Sequence, residues 1–215
     1  MGATVAGSST VRNLGVMFDQ HMTFVSHTDE VVRRCTGALC GLSHCKHSLP
    51  GETLVTLVQC LVLSLLRYCL PVYGASNRTQ MARLQKVMNF AARVISGRRK
   101  FSHISDVLRE LNWLSAHNLF LYHSLTLLRR ILVTSEPESL SDGLITRYDI
   151  HHRTTRHSDL LATPSIRTEY GRRRFRHSAA TAFNSLPPCL RALDCIHFKA
   201  EVKKHLLHVQ NEQPG

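Results

Sequence analysis

Acid is what this chain has little of: 15 Asp and Glu stand against 27 Lys and Arg in 215 residues, a formal charge of +12 before 14 His are counted. No two Asp are adjacent, and Asp19, Asp106, Asp142, Asp149, Asp159 and Asp194 are scattered along the sequence. Two-metal polymerases and nucleases need carboxylates that bridge their ions, so such a centre is not expected. Missing too are Gly-x-Ser-x-Gly, the Walker loop, Gly-x-Gly-x-x-Gly and His-Glu-x-x-His. Asp19 and His21 lie close in sequence but have no third member, and read as surface polar groups. The chain is therefore not expected to be an enzyme, and no catalytic residue, cofactor or small-molecule substrate is assigned.

Long apolar runs are absent as well. The longest uncharged stretch in a helix-like pattern is residues 53–66, 14 residues, against ~20 for a membrane span. The opening Met1-Gly2-Ala3-Thr4 has neither the basic start nor the apolar core of a signal peptide. Ala6 stands where the myristoylation pattern wants Ser or Thr. With 43% apolar and 20% charged residues, the composition favours a soluble, basic, intracellular protein, cytoplasmic or nuclear, with a real core and no membrane partner.

No Cys-x-x-Cys pair occurs, and the seven Cys are an odd number, which argues against a closed disulfide framework. Cys35, Cys40 and Cys45 recur in steps of five beside His44 and His47. On a helix such steps advance ~140° net, so the sulfurs diverge where zinc needs four converging ligands. The thiols are read as reduced and structural, with no metal site.

The fold class expected is mainly α: a helical bundle preceded by one orphan β-strand and followed by a basic, loosely ordered tail with short helices. Residues 1–10 read as a flexible lead-in and 11–19 as a lone strand ended by Asp19-Gln20. An unpaired strand leaves its backbone polar groups open, which hints at a chain cut from something larger. The bundle spans 20–133. Ser26 or Thr28 caps a helix running to about residue 43, with Asp29 and Glu30 in its first turn. Residues 52–70 form an all-round apolar helix ended by Pro71. Residues 78–96 form the clearest amphipathic helix, with Met81, Leu84, Met88, Ala91 and Ile95 in one stripe and Gly97 as its C-cap. A short helix covers 102–111, and Ser115 caps a long one to about 133. A linker, 134–143, leads to the extension 144–215, with a final short helix near 198–209.

The positive signal is electrostatic. On helix 78–96, Arg83, Lys86 and Arg93 share a ~80° arc away from the apolar stripe. Further clusters are Arg98-Arg99-Lys100, Arg129-Arg130, residues 153–156 and Arg172-Arg173-Arg174-Phe175-Arg176. Residues 147–177 carry eight Arg against three acids. Lys and Arg that neutralise phosphates release condensed counterions and so give sequence-independent affinity for nucleic acid. Tyr148, Tyr170 and Phe175 among them can stack on bases. A plainer reading stands beside this one: cations past a helix C-terminus complement its dipole in any protein.

A series of segments then becomes informative together: Val11-Arg12-Asn13-Leu14-Gly15-Val16 with Asp19; Thr23-Phe24 with His27; Leu66-Arg67-Tyr68-Cys69-Leu70-Pro71-Val72-Tyr73-Gly74; and residues 83–97, Arg83-Leu84-Gln85-Lys86 through Ser96-Gly97. They continue with His103-Ile104, Leu111-Asn112-Trp113-Leu114, Tyr170-Gly171-Arg172-Arg173-Arg174-Phe175, Phe183-Asn184-Ser185-Leu186-Pro187 with Leu190-Arg191, and Phe198-Lys199. In this order they resemble the region downstream of the catalytic core in the reverse transcriptase polyprotein of non-LTR (LINE-type) retrotransposons, of the jockey kind, collinearly over residues 11–207. Phe183 departs from the Trp usual there, and Asn112 from the usual His.

The resemblance implies that residues 14–19 correspond to the last palm strand, the following helices to a thumb and the basic tail to a C-terminal extension. The palm carboxylates and the endonuclease lie upstream in such proteins. The expected function is non-catalytic binding of RNA or RNA–DNA template-primer backbone through Arg83, Lys86, Arg93, Arg98, Arg99, Lys100, Arg172, Arg173, Arg174 and Arg176. An intact element-encoded polyprotein is a further expected partner. The competing readings are a helical protein-interaction module and a transposon relic without nucleic-acid binding.

Overall fold

In the computed structural model, which describes residues 8–152, 158–163 and 165–212, the protein is mainly α-helical, with one small antiparallel sheet ahead of the helices. Residues 1–7 of the flexible lead-in expected at 1–10, and the basic run 153–156, lie outside the described residues. Contacts divide the chain into two compact units, residues 1–69 with 76–107 and residues 70–75 with 108–215.

The first unit opens with a correction. The stretch 11–19 is not one lone strand but a hairpin, β1 (Thr10–Asn13) paired antiparallel with β2 (Val16–Asp19). Its turn residues Leu14 and Gly15 have φ of 44° and 82°, the left-handed pair that a tight two-residue hairpin turn requires. The Tyr68 hydroxyl donates to the Leu14 carbonyl at 2.7 Å and closes the turn. Val16 is buried, and the Phe18 and Phe24 rings meet edge to face at 5.6 Å.

The first helix, α1 (Val25–Cys45), is capped neither by Ser26 nor by Thr28. Phe24 precedes it in a left-handed conformation with no side-chain cap of its own. Instead the Asp19 carboxylate, at the end of β2, holds the loop that leads into the helix. It accepts from the backbone N–H of His21 (3.1 Å), Thr23 (2.9 Å) and Phe24 (2.7 Å) and from the Thr23 hydroxyl (3.1 Å). Burial pushes this carboxyl upward, but the donated bonds outweigh it and hold Asp19 below its ordinary value. Asp19 therefore ties the hairpin to α1, a structural role beyond that of a surface polar group.

The apolar helix expected over 52–70 is interrupted. It runs as α2 (Gly51–Val58), a π-turn at Gln59–Leu63 and α3 (Ser64–Arg67). It ends before Pro71, where Tyr68 turns extended and Cys69 left-handed at φ 53°. Pro71 sits instead in the first turn of α4 (Leu70–Tyr73), where a missing N–H leaves no bond unmade. At the π-turn the Val62 carbonyl accepts from the buried Cys35 Sγ at 3.6 Å. Burial pushes the Cys35 thiol up to about 11, so it is unreactive. Maleimide labelling of the native protein is expected to modify exposed Cys40, Cys45, Cys60 and Cys189 quickly and Cys35 only after denaturation. Native labelling of Cys35 at the rate of Cys40 would contradict this packing.

Helix α5 (Arg78–Ser96) has the bounds the sequence suggests. The Asn77 side chain caps it by accepting from the Gln80 N–H at 3.0 Å, and Gly97 ends it at φ 67°. The stripe is broader than expected: Leu84, Val87, Met88, Ala91, Ala92 and Val94 are buried, while Met81 and Ile95 are half-buried. α5 packs on α1 and α2. Beyond it, α6 (Ser105–Glu110) ends at Asn112, left-handed at φ 52°. The Asn112 N–H donates to the Arg109 carbonyl at 3.0 Å and the Trp113 N–H to that of Leu108 at 2.9 Å, a C-terminal closure that an Asn accommodates.

The second unit is built on α7 (Ala116–Thr134), capped by Ser115 at 3.3 Å from the Asn118 N–H. Gly74 is pressed against it: a Cβ there would lie 2.5 Å from Phe120 Cδ2 and 2.6 Å from the Leu70 carbonyl oxygen. Short helices α8 (Glu138–Ser141), α9 (Arg147–His151) and α10 (Glu169–Arg173) lead to α11 (Phe175–Asn184), α12 (Pro188–Arg191) and α13 (Cys195–Glu212). The region read as a loosely ordered tail carries more order than its composition suggests. α11 and α13 both pack on α7, and Phe183, Phe198, Val202 and Leu206 are buried. The final helix is 18 residues long.

Polar bonds fix the two ends of this packing. Gln210 Oε1 accepts from the Ser115 N–H at 2.7 Å and from Asn118 Nδ2 at 3.2 Å. The Asn184 side chain imitates a strand partner: its Oδ1 accepts from the Leu161 N–H at 2.9 Å and its Nδ2 donates to the Leu161 carbonyl at 2.8 Å. Arg147 and Tyr148 N–H groups donate to the Leu160 and Ser158 carbonyls, which pairs 145–148 with 158–162 on the other side.

Candidate nucleic-acid interface

Three of the cations placed by α5 and the loop after it are engaged inside the protein. Arg83 Nη1 pairs with Asp29 on α1 at 2.5 Å and donates to Gln80 Oε1 at 2.9 Å. Arg93, half-buried, donates to the Ser102 carbonyl at 3.4 Å. Arg98 forks onto Asp106, with one arm at 2.7 Å, and the same Nη1 donates to the His103 carbonyl at 2.7 Å. This Arg98 fork holds the Asp106 carboxyl below its ordinary range. These three arginines brace α1 against α5 and close the 97–106 loop.

The others in this unit face outward. Lys86, Arg99 and Lys100 are exposed, and among the described residues none of them has an ion-pair partner. Beside them stands Phe101, 91% exposed, with Lys100 Nζ 5.5 Å from its ring centroid. An apolar ring so fully in water loses burial energy that the fold does not recover. Sequence reasoning named Tyr148, Tyr170 and Phe175 as stacking candidates and missed Phe101. Its signal was its place directly after Arg98-Arg99-Lys100.

The second unit holds its arginine cluster more closely than the run Arg172 to Arg176 suggests. Glu169 pairs with Arg173 at 3.5 Å and more loosely with Arg172 at 4.0 Å. The Arg174 guanidinium lies 5.9 Å from the Tyr170 ring centroid, and Arg176 donates to the Ser139 carbonyl and lies against Gly143. Arg129 is turned inward, donating to the Leu193 carbonyl with its guanidinium 5.8 Å from the centroid of buried Phe198. Arg172, Arg174 and Arg176 are exposed and Arg173 is half-buried.

Most of the scattered acids are committed as well. Asp149 accepts from the N–H and hydroxyl of Thr146 in a capping box, Asp159 pairs with Arg191 at 2.9 Å, and Asp194 accepts from the His197 N–H at 2.8 Å. Among the described residues no group of three or more His, Cys, Asp or Glu is placed to hold a metal ion. No described helix is long and apolar enough to cross a membrane. No protein-family model, curated protein or solved structure matches this chain.

Proposed function

We propose that this chain is a non-catalytic nucleic-acid-binding module that holds RNA or an RNA–DNA hybrid by its backbone, independently of sequence. The observation that carries this reading is the exposed triplet Arg99-Lys100-Phe101, two outward cations and a bare ring on one loop. Cations attract phosphates through counterion release, and an exposed ring offers a face to any base. Arg98 takes the role of loop clamp, so the loop holds its shape while its neighbours stay free to bind. Lys86 adds a further exposed cation on the same unit. The resemblance to the post-catalytic part of a retrotransposon reverse transcriptase supports the same reading, with the helices in a thumb-like role, and so does the commitment of Asp19, Asp29, Asp106 and Asp159 to internal bonds.

The test is a mobility-shift titration with a short unstructured RNA. Combining Arg99→Ala, Lys100→Ala and Phe101→Ala is expected to weaken binding at least ~10-fold, since one base–aromatic stack alone is worth ~1–3 kcal/mol. Arg83→Ala, which removes an internal brace, is expected to change affinity much less. An unchanged affinity in the triple variant would overturn the assignment of this loop.

A further inference from the structure

The hairpin, α1 and α3 enclose a cleft of about 250 Å³ in the first unit. That approaches the lower bound of small-ligand clefts, ~300 Å³. Its wall on α1 is a single stripe, His27, Glu30, Val31 and Arg34, at the spacing that brings helical residues onto one face. Arg12 reaches it from β1 and Tyr68 from the end of α3. The reading of the protein as a backbone binder used none of these residues.

The cleft carries charge and shape together. Arg12 and Arg34 are exposed, and among the described residues no carboxylate pairs with either. Glu30, the acid in the wall, is already gripped by Arg33 through a fork at 2.9 and 3.0 Å. Burial, and then the nearby Arg12, hold His27 below its ordinary value. The Tyr68 hydroxyl is fixed on the Leu14 carbonyl, which keeps its ring, 53% exposed, beside the opening. Gly15 lies against that ring: a Cβ there would stand 3.4 Å from Tyr68 Cε1.

We propose that this cleft binds a nucleotide unit, its phosphate held between Arg12 and Arg34 and its base laid against Tyr68 and Leu14. Two guanidiniums suit a phosphate because each offers a planar fork of donors. The unit can come from a free mononucleotide or from the phosphorylated end of a strand. The inference rests on different side chains from the Arg99-Lys100-Phe101 loop, so either can fail without the other.

The test titrates the full chain with adenosine monophosphate, adenosine and a 5′-phosphorylated trinucleotide, followed by calorimetry at low ionic strength. Adenosine monophosphate is expected to bind and adenosine to bind at least ~10-fold more weakly, because the charge-assisted bonds go to the phosphate. Combining Arg12→Ala with Arg34→Ala is expected to weaken the monophosphate at least ~10-fold, with an unchanged circular dichroism spectrum. Arg12→Lys with Arg34→Lys retains charge without the fork and is expected to fall between. A trinucleotide tighter than the monophosphate assigns the site to strand ends; equal affinity assigns it to free nucleotides. Failure of the monophosphate to bind, equal binding of adenosine, or binding unaltered in the double alanine variant would each overturn the proposal.

Discussion

Phe198→Ala is expected to cost the second unit ~3–5 kcal/mol, the range for removing a fully buried Phe. Phe198 has no exposed surface, faces Phe183 at 6.2 Å between ring centroids, and lies under the Arg129 guanidinium. Truncation opens a cavity at the seam of α7, α11 and α13 and leaves Arg129 without its ring. Trp113, the single tryptophan, is buried in this unit, and its carbonyl accepts from Gln210 Nε2 on α13 at 3.3 Å. Its fluorescence therefore reports whether α13 is docked. The urea midpoint read by Trp113 is expected to fall sharply in Phe198→Ala and to recover largely in Phe198→Leu, which keeps most of the volume. A midpoint unchanged by Phe198→Ala would mean that the C-terminal helix does not pack on α7.

Asp19→Ala is expected to have the second-largest effect, ~2–4 kcal/mol, because three backbone N–H groups and a hydroxyl lose one charged acceptor at once. Amide hydrogen exchange at His21, Thr23 and Phe24 reads it locally, and those protons are expected to lose protection together. The pH dependence follows from the direction of the shift. The folded-state carboxyl titrates below its ordinary value near 3.8. Its stabilisation is therefore present in full above that value and is lost as pH falls through the lower, folded one. Asp19→Asn, which cannot ionise, is expected to flatten the acid limb of the stability curve. An acid limb as steep in Asp19→Asn as in the natural sequence would show that other carboxylates govern acid unfolding.

The parts of the fold legible in the sequence are those whose signals are local. Gly97 ends α5 because a cap acts within three or four residues of itself, and Ser115 starts α7 for the same reason. The hairpin was hidden because its turn uses Leu14 at φ 44°, a residue outside the Asn, Asp and Gly signature of such turns. The entry into α1 was hidden because the group that holds it, Asp19, sits across a bend rather than at the helix start. The basic tail gave a misleading impression of looseness. Its order comes from partners far along the chain, Asn184 on Leu161 and Gln210 on Ser115.

The candidate interface was legible as charge but not as availability. Composition counts an arginine whether or not a carboxylate meets it. Arg83 and Arg98 are spent on Asp29 and Asp106, pairings that only the folded chain reveals. Conversely, Phe101 stood out only once its ring was seen uncovered. Charge patterning thus counted more cations than the fold leaves without internal partners.

The measurement that bears most directly on nucleic-acid binding is the salt dependence of affinity for an unstructured RNA, plotted as log K against log salt. Three outward cations, Lys86, Arg99 and Lys100, each neutralising one phosphate, give an expected slope of about −2, from ~0.7 per contact on a single strand. Losing Arg99 and Lys100 should flatten the line by about 1.4 on the same basis. A slope near zero, or no binding even at the lowest salt, would contradict the account.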